Sequence, residues 1–132
     1  KLIKEYDQNT AMEHLDISVD RVTDDALYAS MPVDERHCQP LGVLHGGISC
    51  VLAETVGSYG SWLLVDMEKY YVVGQQISCN HVRPVPKGDR LTAEAKILHR
   101  GKRSHVWDIT MTNKEGKTAA LARLTVAVVE KH

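Results

Sequence analysis

One segment near the middle of the chain combines residue types that could bind and activate a carbonyl group. Gly46 and Gly47 open a helical pattern, so unpaired backbone N–H groups and the positive end of the helix dipole would face a bound oxygen there. Glycine also lets a ligand approach the backbone closely. Gln39 and His45 flank this start and can add side-chain donors. The segment therefore indicates an oxyanion-binding site at a helix N-terminus.

Glu54 and Ser58 could supply the reacting groups, because residues four apart share one helix face. A carboxylate and a hydroxyl there could attack a carbonyl, or orient a water against it. Eight residues separate Gly46 from Glu54, about 12 Å along a helix, which is too far for one helix to present both to one carbonyl. We therefore expect a two-fold dimer with antiparallel helices and two shared sites.

The helix that positions these residues is predicted from Gly46 to about Asp66. Apolar residues at three- and four-residue steps form one stripe along it: Ile48, Val51, Leu52, Val56, Tyr59 and Leu63. Small residues surround Glu54 on its other faces: Gly47, Cys50, Gly57, Ser58 and Ser61. Such small residues predict close packing, against either a sheet or another subunit.

The rest of the chain indicates strands. A short helix through about Leu15 and a hairpin over residues 17–31 precede an aperiodic loop that runs to His45. After the helix, period-two alternation predicts four strands, at residues 72–82, 91–97, 105–111 and 121–129. Plausible turns separate them, so we expect successive strands to pair antiparallel. The predicted fold class is α+β, with an antiparallel sheet of five or six strands wrapped around one long central helix.

Composition limits the function further. The 132 residues, 43% of them hydrophobic, predict a single domain over residues 1–132. A net charge of -1 disfavours a nucleic-acid partner, yet residues 1–68 carry -8 and residues 69–132 carry +7, which allows a basic surface in the second half. Three widely spaced cysteines indicate reduced thiols, and we expect neither a metal nor a cofactor. The polar first sixteen residues and the short apolar runs predict a cytoplasmic protein without a membrane segment.

Residues 39–58, QPLGVLHGGISCVLAETVGS, resemble the signature of hotdog-fold acyl-CoA thioesterases. The branch that they resemble contains the 4-hydroxybenzoyl-CoA thioesterase with a helical Glu and the 1,4-dihydroxy-2-naphthoyl-CoA thioesterases. The likeness extends over residues 72–74 and 80–84, the Gly101 turn with Trp107, and residues 123–125. It covers most of the chain after Asp34 and implies the hotdog fold.

The resemblance also implies roles for individual residues. Glu54 would be the nucleophile or general base, and the Gly46 N–H would polarise the thioester oxygen. Gln39 and His45 would position the thioester, and Ser58 would hold the water. An acyl-CoA is the implied substrate, and coenzyme A is a part of it rather than a cofactor. The implied assembly is a homotetramer made of two homodimers.

Basic and polar residues after the helix are the candidates for binding coenzyme A. Arginine suits phosphate because its planar guanidinium can donate two hydrogen bonds at once. The candidate substrate-binding residues implied by the resemblance are Gly47, Gly74, His81, Val82, Arg83, Lys102, Arg103 and Ser104.

Other functions remain open at this point. A non-hydrolytic acyl-CoA binding or regulatory protein could use the same scaffold, because a fold does not fix an activity. Glu54 favours the enzyme, since a carboxylate facing a thioester would repel its electron-rich carbonyl in a protein that only binds. A hotdog dehydratase is a third hypothesis. A hydroxylated aromatic acyl group is implied by the resemblance alone.

Overall fold

The computed structural model describes residues 7–132 and shows one long helix lying on a single six-stranded sheet. The parts of the single-domain prediction and of the polar N-terminal stretch that fall on residues 1–6 lie outside the described residues. A 3-10 turn at Glu35–His37 lies in the loop before the long helix. The helices and strands are α1 (Ala11–His14), β1 (Ser18–Val22), β2 (Leu27–Pro32), α2 (Gly46–Leu64), β3 (Tyr70–His81), β4 (Arg90–Arg100), β5 (Ser104–Thr112) and β6 (Thr118–Glu130).

The sheet is antiparallel throughout, with the strand order β1-β2-β4-β5-β6-β3. This confirms the predicted α+β fold, the first hairpin and the four strands after the helix. The expectation that successive strands pair is wrong for β3 and β4, because β2 occupies the place beside β4 and β3 pairs with β6 instead. Residues 82–89, with two prolines, therefore cross from one edge region of the sheet to its middle. They do not form a hairpin turn.

Helix α2 meets the sheet through its small residues. Gly57 and Gly60 are buried, and a Cβ atom built on either would lie 2.5 Å from Leu124 or Trp107 respectively. Only glycine therefore allows the helix axis to come this close to the sheet. The sequence left open whether the small residues pack against a sheet or against another subunit, and at positions 57 and 60 they pack against the sheet.

The apolar stripe predicted along α2 divides between two environments. Leu52 and Val56 are fully buried against the sheet, whereas Leu63 is 53% exposed. Val51 and Tyr59 are half-buried. Periodicity thus identified the apolar positions, but close packing of the small face turns part of the stripe away from the sheet.

A buried polar network ties the last turns of α2 to β5. The indole N–H of Trp107 donates to Ser61 Oγ at 2.8 Å, and Ser61 Oγ lies 2.7 Å from His105 Nδ1. Since the indole can only donate, the serine hydroxyl is free to donate to His105 Nδ1, which leaves the ring neutral with its proton on Nε2. Burial, and then the positive charges of Arg100 and His99, lower the pKa of His105.

The lowered pKa of His105 predicts a loss of stability at acidic pH. Below the ordinary histidine pKa of about 6.5, the unfolded chain binds a proton at this position that the folded chain resists, so the free energy of unfolding falls as the pH falls. Urea unfolding between about pH 7.5 and about pH 5.5 should show this slope. His105→Gln should flatten it and the exposed His132→Gln should leave it unchanged. An equal slope in the wild type and in His105→Gln would contradict the assignment.

Candidate active site

The first turn of α2 leaves one backbone donor free. His45 lies just before the helix in an extended conformation, and its Nδ1 accepts the Gly47 N–H at 2.9 Å. The N–H groups of Ile48 and Ser49 donate to the His45 carbonyl oxygen. Within residues 7–132 the Gly46 N–H has no acceptor. The Gly46 N–H is therefore available to donate to a bound oxyanion. Because Nδ1 of His45 accepts a hydrogen bond, the ring proton lies on Nε2, which can donate to the same ligand.

The loop before α2 folds back on itself and brings Gln39 to the same region. The Gln39 N–H donates to Val43, and the His45 N–H donates to the carbonyl of buried His37 at 2.8 Å. Gly42, with φ 82°, closes the turn between these two arms. Gln39 Oε1 accepts the Leu41 N–H, which leaves the Gln39 side-chain amide N–H groups to donate elsewhere.

A cleft of about 430 Å³ joins the start of α2 to the end of β3. Gly46, His81, Val82 and Arg83 all line it. His81 Nε2 lies 3.1 Å from the Gly46 carbonyl oxygen, and the ring packs against the Gly46 Cα. The structure therefore brings His81, Val82 and Arg83, three of the candidate substrate-binding residues, into one cleft with Gly46.

Glu54 lies at the middle of α2, over β3. Its carboxylate packs on Gly74, where a Cβ atom would lie 2.7 Å from Glu54 Cδ. The side chain is exposed, and its carboxylate has neither a hydrogen bond nor an ion pair within the described part of the chain. The Glu54 carboxylate is therefore accessible to a substrate. It occupies the space that a side chain at position 74 would fill.

An apolar groove of about 900 Å³ extends from Glu54 and Ser58. Its walls include Val51, Tyr59 and Trp62, together with residues of α1 and β1. These are the apolar residues of α2 that the sheet does not cover. The groove was missed at the level of sequence because periodicity does not show which apolar face remains open.

The β4–β5 turn lies far from His81 within one chain. Ser104 pairs with Ala127, and His81 pairs with Ala120, so seven residues of β6 separate the two, about 23 Å of strand. Lys102 and Arg103 are exposed beside Ser104. Ala127 also pairs with Val73, which places this turn nearer to Gly74 than to His81 along the sheet. The predicted site residues therefore fall into two groups: one at the start of α2 and the end of β3, the other around the middle of α2 and Gly74.

Cys50, Cys79 and His81 form a cluster that the sequence spacing did not reveal. One ligand atom from each lies within 4.8 Å of the others, and Cys79 Sγ is 3.5 Å from His81 Nε2. Burial, and then the neighbouring Cys50, raise the pKa of Cys79 to about 12. Cys79 and His81 are two residues apart on β3, so the sequence places them on one face of the strand. Cys50 belongs to α2, and only the fold brings it close to them.

Comparison with known proteins identifies the group to which this fold and site belong. The family model of the thioesterase superfamily matches residues 41–120. The segment matched includes the start of α2, Glu54, Gly74 and His81. The chain belongs to the thioesterase superfamily. It is a thioester hydrolase with the hotdog fold, as the sequence predicted.

Individual thioesterases are similar over most of their length. The 1,4-dihydroxy-2-naphthoyl-CoA hydrolase of Escherichia coli is 44% identical over 115 residues, 87% of this chain and 83% of that enzyme. The proofreading thioesterase EntH of Klebsiella pneumoniae is 41% identical over 122 residues, 92% of this chain and 88% of its own. A crystal structure of a mutant thioesterase from Pseudomonas aeruginosa superposes with a TM-score of 0.95 at 44% identity, covering 98% of this chain and 93% of that one.

Within residues 7–132, no helix of this thioesterase has the length and apolar character needed to cross a bilayer.

Proposed function

We propose that this thioesterase hydrolyses an acyl-CoA to the free acid and coenzyme A, at a site built from Glu54 of one subunit and the start of α2 of another. The observation that carries the proposal is the placement of two unused groups on one helix. Among residues 7–132 the Gly46 N–H has no acceptor and the Glu54 carboxylate has no donor, and the two residues are about 12 Å apart along the helix. Each is half of a hydrolytic site.

Strand β3 supports a dimer that reunites these halves. It is twelve residues long and forms one edge of the sheet, so its outer backbone groups are available for pairing. Antiparallel pairing of β3 with its copy across a two-fold axis would bring the Gly74 end of one subunit beside the His81 end of the other. That arrangement gives two sites, each with Glu54 and Ser58 from one chain and Gly46 from the other.

The proposed chemistry follows from the free donors and the carboxylate. Oxygen from Glu54, or from a water that Glu54 deprotonates, adds to the thioester carbon. The carbonyl electrons move onto oxygen, which accepts the Gly46 N–H and a hydrogen bond from His45 or Gln39. One such donor is worth about 10²–10³ in rate. Collapse breaks the C–S bond. If water attacked, the coenzyme A sulfur leaves with the proton that Glu54 took from that water, and the free acid is formed directly. If Glu54 itself attacked, a water held by Ser58 then cleaves the mixed anhydride, which frees Glu54 and the acid and supplies the proton for the thiol.

The basic residues of both ends suit the coenzyme A moiety. His81 and Arg83 lie in the cleft beside Gly46. Lys102 and Arg103 lie in the β4–β5 turn, on the Gly74 side of the sheet. In the proposed dimer, this turn of one subunit would lie towards the Gly46 cleft of the other. Guanidinium and ammonium groups from two chains would then face the phosphates of one nucleotide.

The apolar groove beside Glu54 is the proposed binding site for the acyl group. Tyr59 and Trp62 provide aromatic surface there, and Val51 adds an aliphatic wall. Flat aromatic groups stack well on such side chains. An aromatic acyl group is therefore the proposed class, in keeping with the naphthoyl-CoA substrate in the name of the Escherichia coli relative.

Replacement of the carboxylate tests its role directly. Glu54→Ala should abolish thiol release from an aroyl-CoA and leave binding largely intact, because the exposed side chain contributes little to the fold. Thiol release from aromatic, short-chain and long-chain acyl-CoAs measures activity, and calorimetry measures binding. Undiminished turnover in this variant would overturn the mechanism. Equal rates of hydrolysis of the three substrate classes by the wild-type enzyme would instead contradict the proposed preference for aromatic acyl groups.

A methyl group on Gly74 tests the position of the carboxylate. Gly74→Ala should push the Glu54 side chain out of place and lower kcat by up to about 100-fold, as a misplacement of about 1 Å can. The colliding atoms belong to a flexible side chain, so the thermal unfolding midpoint should change little. Ser78→Ala, on an exposed position of the same strand, is the matched control. Wild-type kcat in Gly74→Ala would contradict the proposed position.

Mixing two inactive variants tests whether the site is shared. Glu54→Ala and His45→Ala should each be inactive alone, yet subunit exchange should give heterodimers with one intact site. Random exchange makes half of the dimers mixed, so about one quarter of wild-type activity should return. Light scattering gives the oligomeric state in the same samples. No recovery despite exchange, or an active monomer, would contradict a shared site.

A further inference from the structure

The Cys50, Cys79 and His81 cluster has the composition of a metal site, and of its members only His81 has a role in the coenzyme A binding proposed above. Two cysteine sulfurs and one imidazole nitrogen converge from α2 and β3 to within 4.8 Å of one another. We propose that this cluster binds one zinc-class divalent ion per chain. The proposal depends on these three ligands and is independent of the role of Glu54.

The spacing of the ligand atoms fits tetrahedral coordination. With Zn–S near 2.3 Å and Zn–N near 2.0–2.1 Å, a sulfur and a nitrogen at adjacent corners of a tetrahedron are about 3.5 Å apart. Cys79 Sγ and His81 Nε2 are 3.5 Å apart. An ion can therefore bind these two residues without moving the strand.

The elements carrying the ligands hold them in place. Cys79 and His81 are two residues apart on β3, so their side chains point to the same face of the sheet. Cys50 lies in the second turn of α2, which packs along this strand. The third ligand thus comes from a helix whose distance from the sheet is set by Gly57 and Gly60.

The chemistry of the three ligands selects the class of ion. Thiolates and imidazole favour zinc and other soft or borderline metals, whereas calcium and magnesium require oxygen ligands. His81 is exposed and both sulfurs are half-buried, so an ion can reach the cluster from solvent. Three protein ligands leave one position of the tetrahedron for a water or an external ligand.

Binding would affect the cleft beside Gly46. His81 Nε2 lies 3.1 Å from the Gly46 carbonyl oxygen, and an ion on Nε2 would replace the proton shared with that oxygen. Cys50 lies midway between Gly46 and Glu54 along α2. The ion would therefore tie His81 to the second turn of the helix through Cys50, between the two halves of the proposed active site.

Cobalt substitution tests the site by its spectrum. The tag-free, reduced, metal-free chain is titrated with Co²⁺. We expect one ion per chain, near-ultraviolet thiolate-to-cobalt charge-transfer bands, visible bands of tetrahedral Co²⁺, and displacement by Zn²⁺. Absence of charge-transfer bands at saturating Co²⁺, or a Cys50–Cys79 disulfide that persists under reductant, would overturn the proposal.

Variants assign the ligands. Cys50→Ala/Cys79→Ala should lower Zn²⁺ affinity more than about 100-fold, since second-shell partners alone are worth about 10- to 100-fold. Cys38→Ala, a half-buried cysteine outside the cluster, should retain both the affinity and the spectrum. If the double variant unfolds, Cys50→Ser and Cys79→Ser should each reduce the charge-transfer intensity, and His81→Asn should shift the visible bands. Unchanged spectra in those single variants would contradict the assignment.

Discussion

The close approach of α2 to the sheet is the constraint on which the rest of the structure depends. The Trp107 ring occupies the space that a side chain at position 60 would need, and Leu124 does the same at position 57. Ser61 then reaches the Trp107 and His105 nitrogens and satisfies both in the interior. With the helix held at this distance, its first turn contacts His81 and its middle contacts β3 through Cys50 and Glu54.

Helix length is the second constraint, because it separates two groups that the proposed mechanism brings to one carbonyl. A helix can present a backbone donor only at its N-terminus, whereas a carboxylate needs room along its side. Gly46 supplies the first, and Glu54 over Gly74 supplies the second. The proposed two-fold axis would resolve the separation without any new element, since it would bring the side of one helix to the start of another. In that arrangement the acidic half of one chain and the basic half of another contribute to one site.

Features that depend on neighbouring residues could be predicted from the sequence, whereas contacts between distant segments could not. The His-Gly-Gly segment identified the start of α2, and period-two alternation identified β3 to β6. Alternation shows which residues share a face of a strand but not which strand lies next to it, so the pairing of β3 with β6 was missed. The same limit hid the approach of Cys50 to Cys79 and His81. It also hid the separation of Lys102 from His81, which depends on the register of three strands.

Close packing through small residues has a consequence for how specificity can change. The residues that hold α2 on the sheet, such as Val56 and Gly57, are distinct from those that line the groove, such as Val51 and Tyr59. These groove residues are half-buried, so their substitution removes less buried surface than substitution of Val56 and costs less folding free energy. Groove shape is therefore less tightly coupled to fold stability than the face of the helix that meets the sheet. If the groove binds the acyl group as proposed, a lineage carrying this helix could exchange one acyl group for another at a lower cost in stability than by changes on that face.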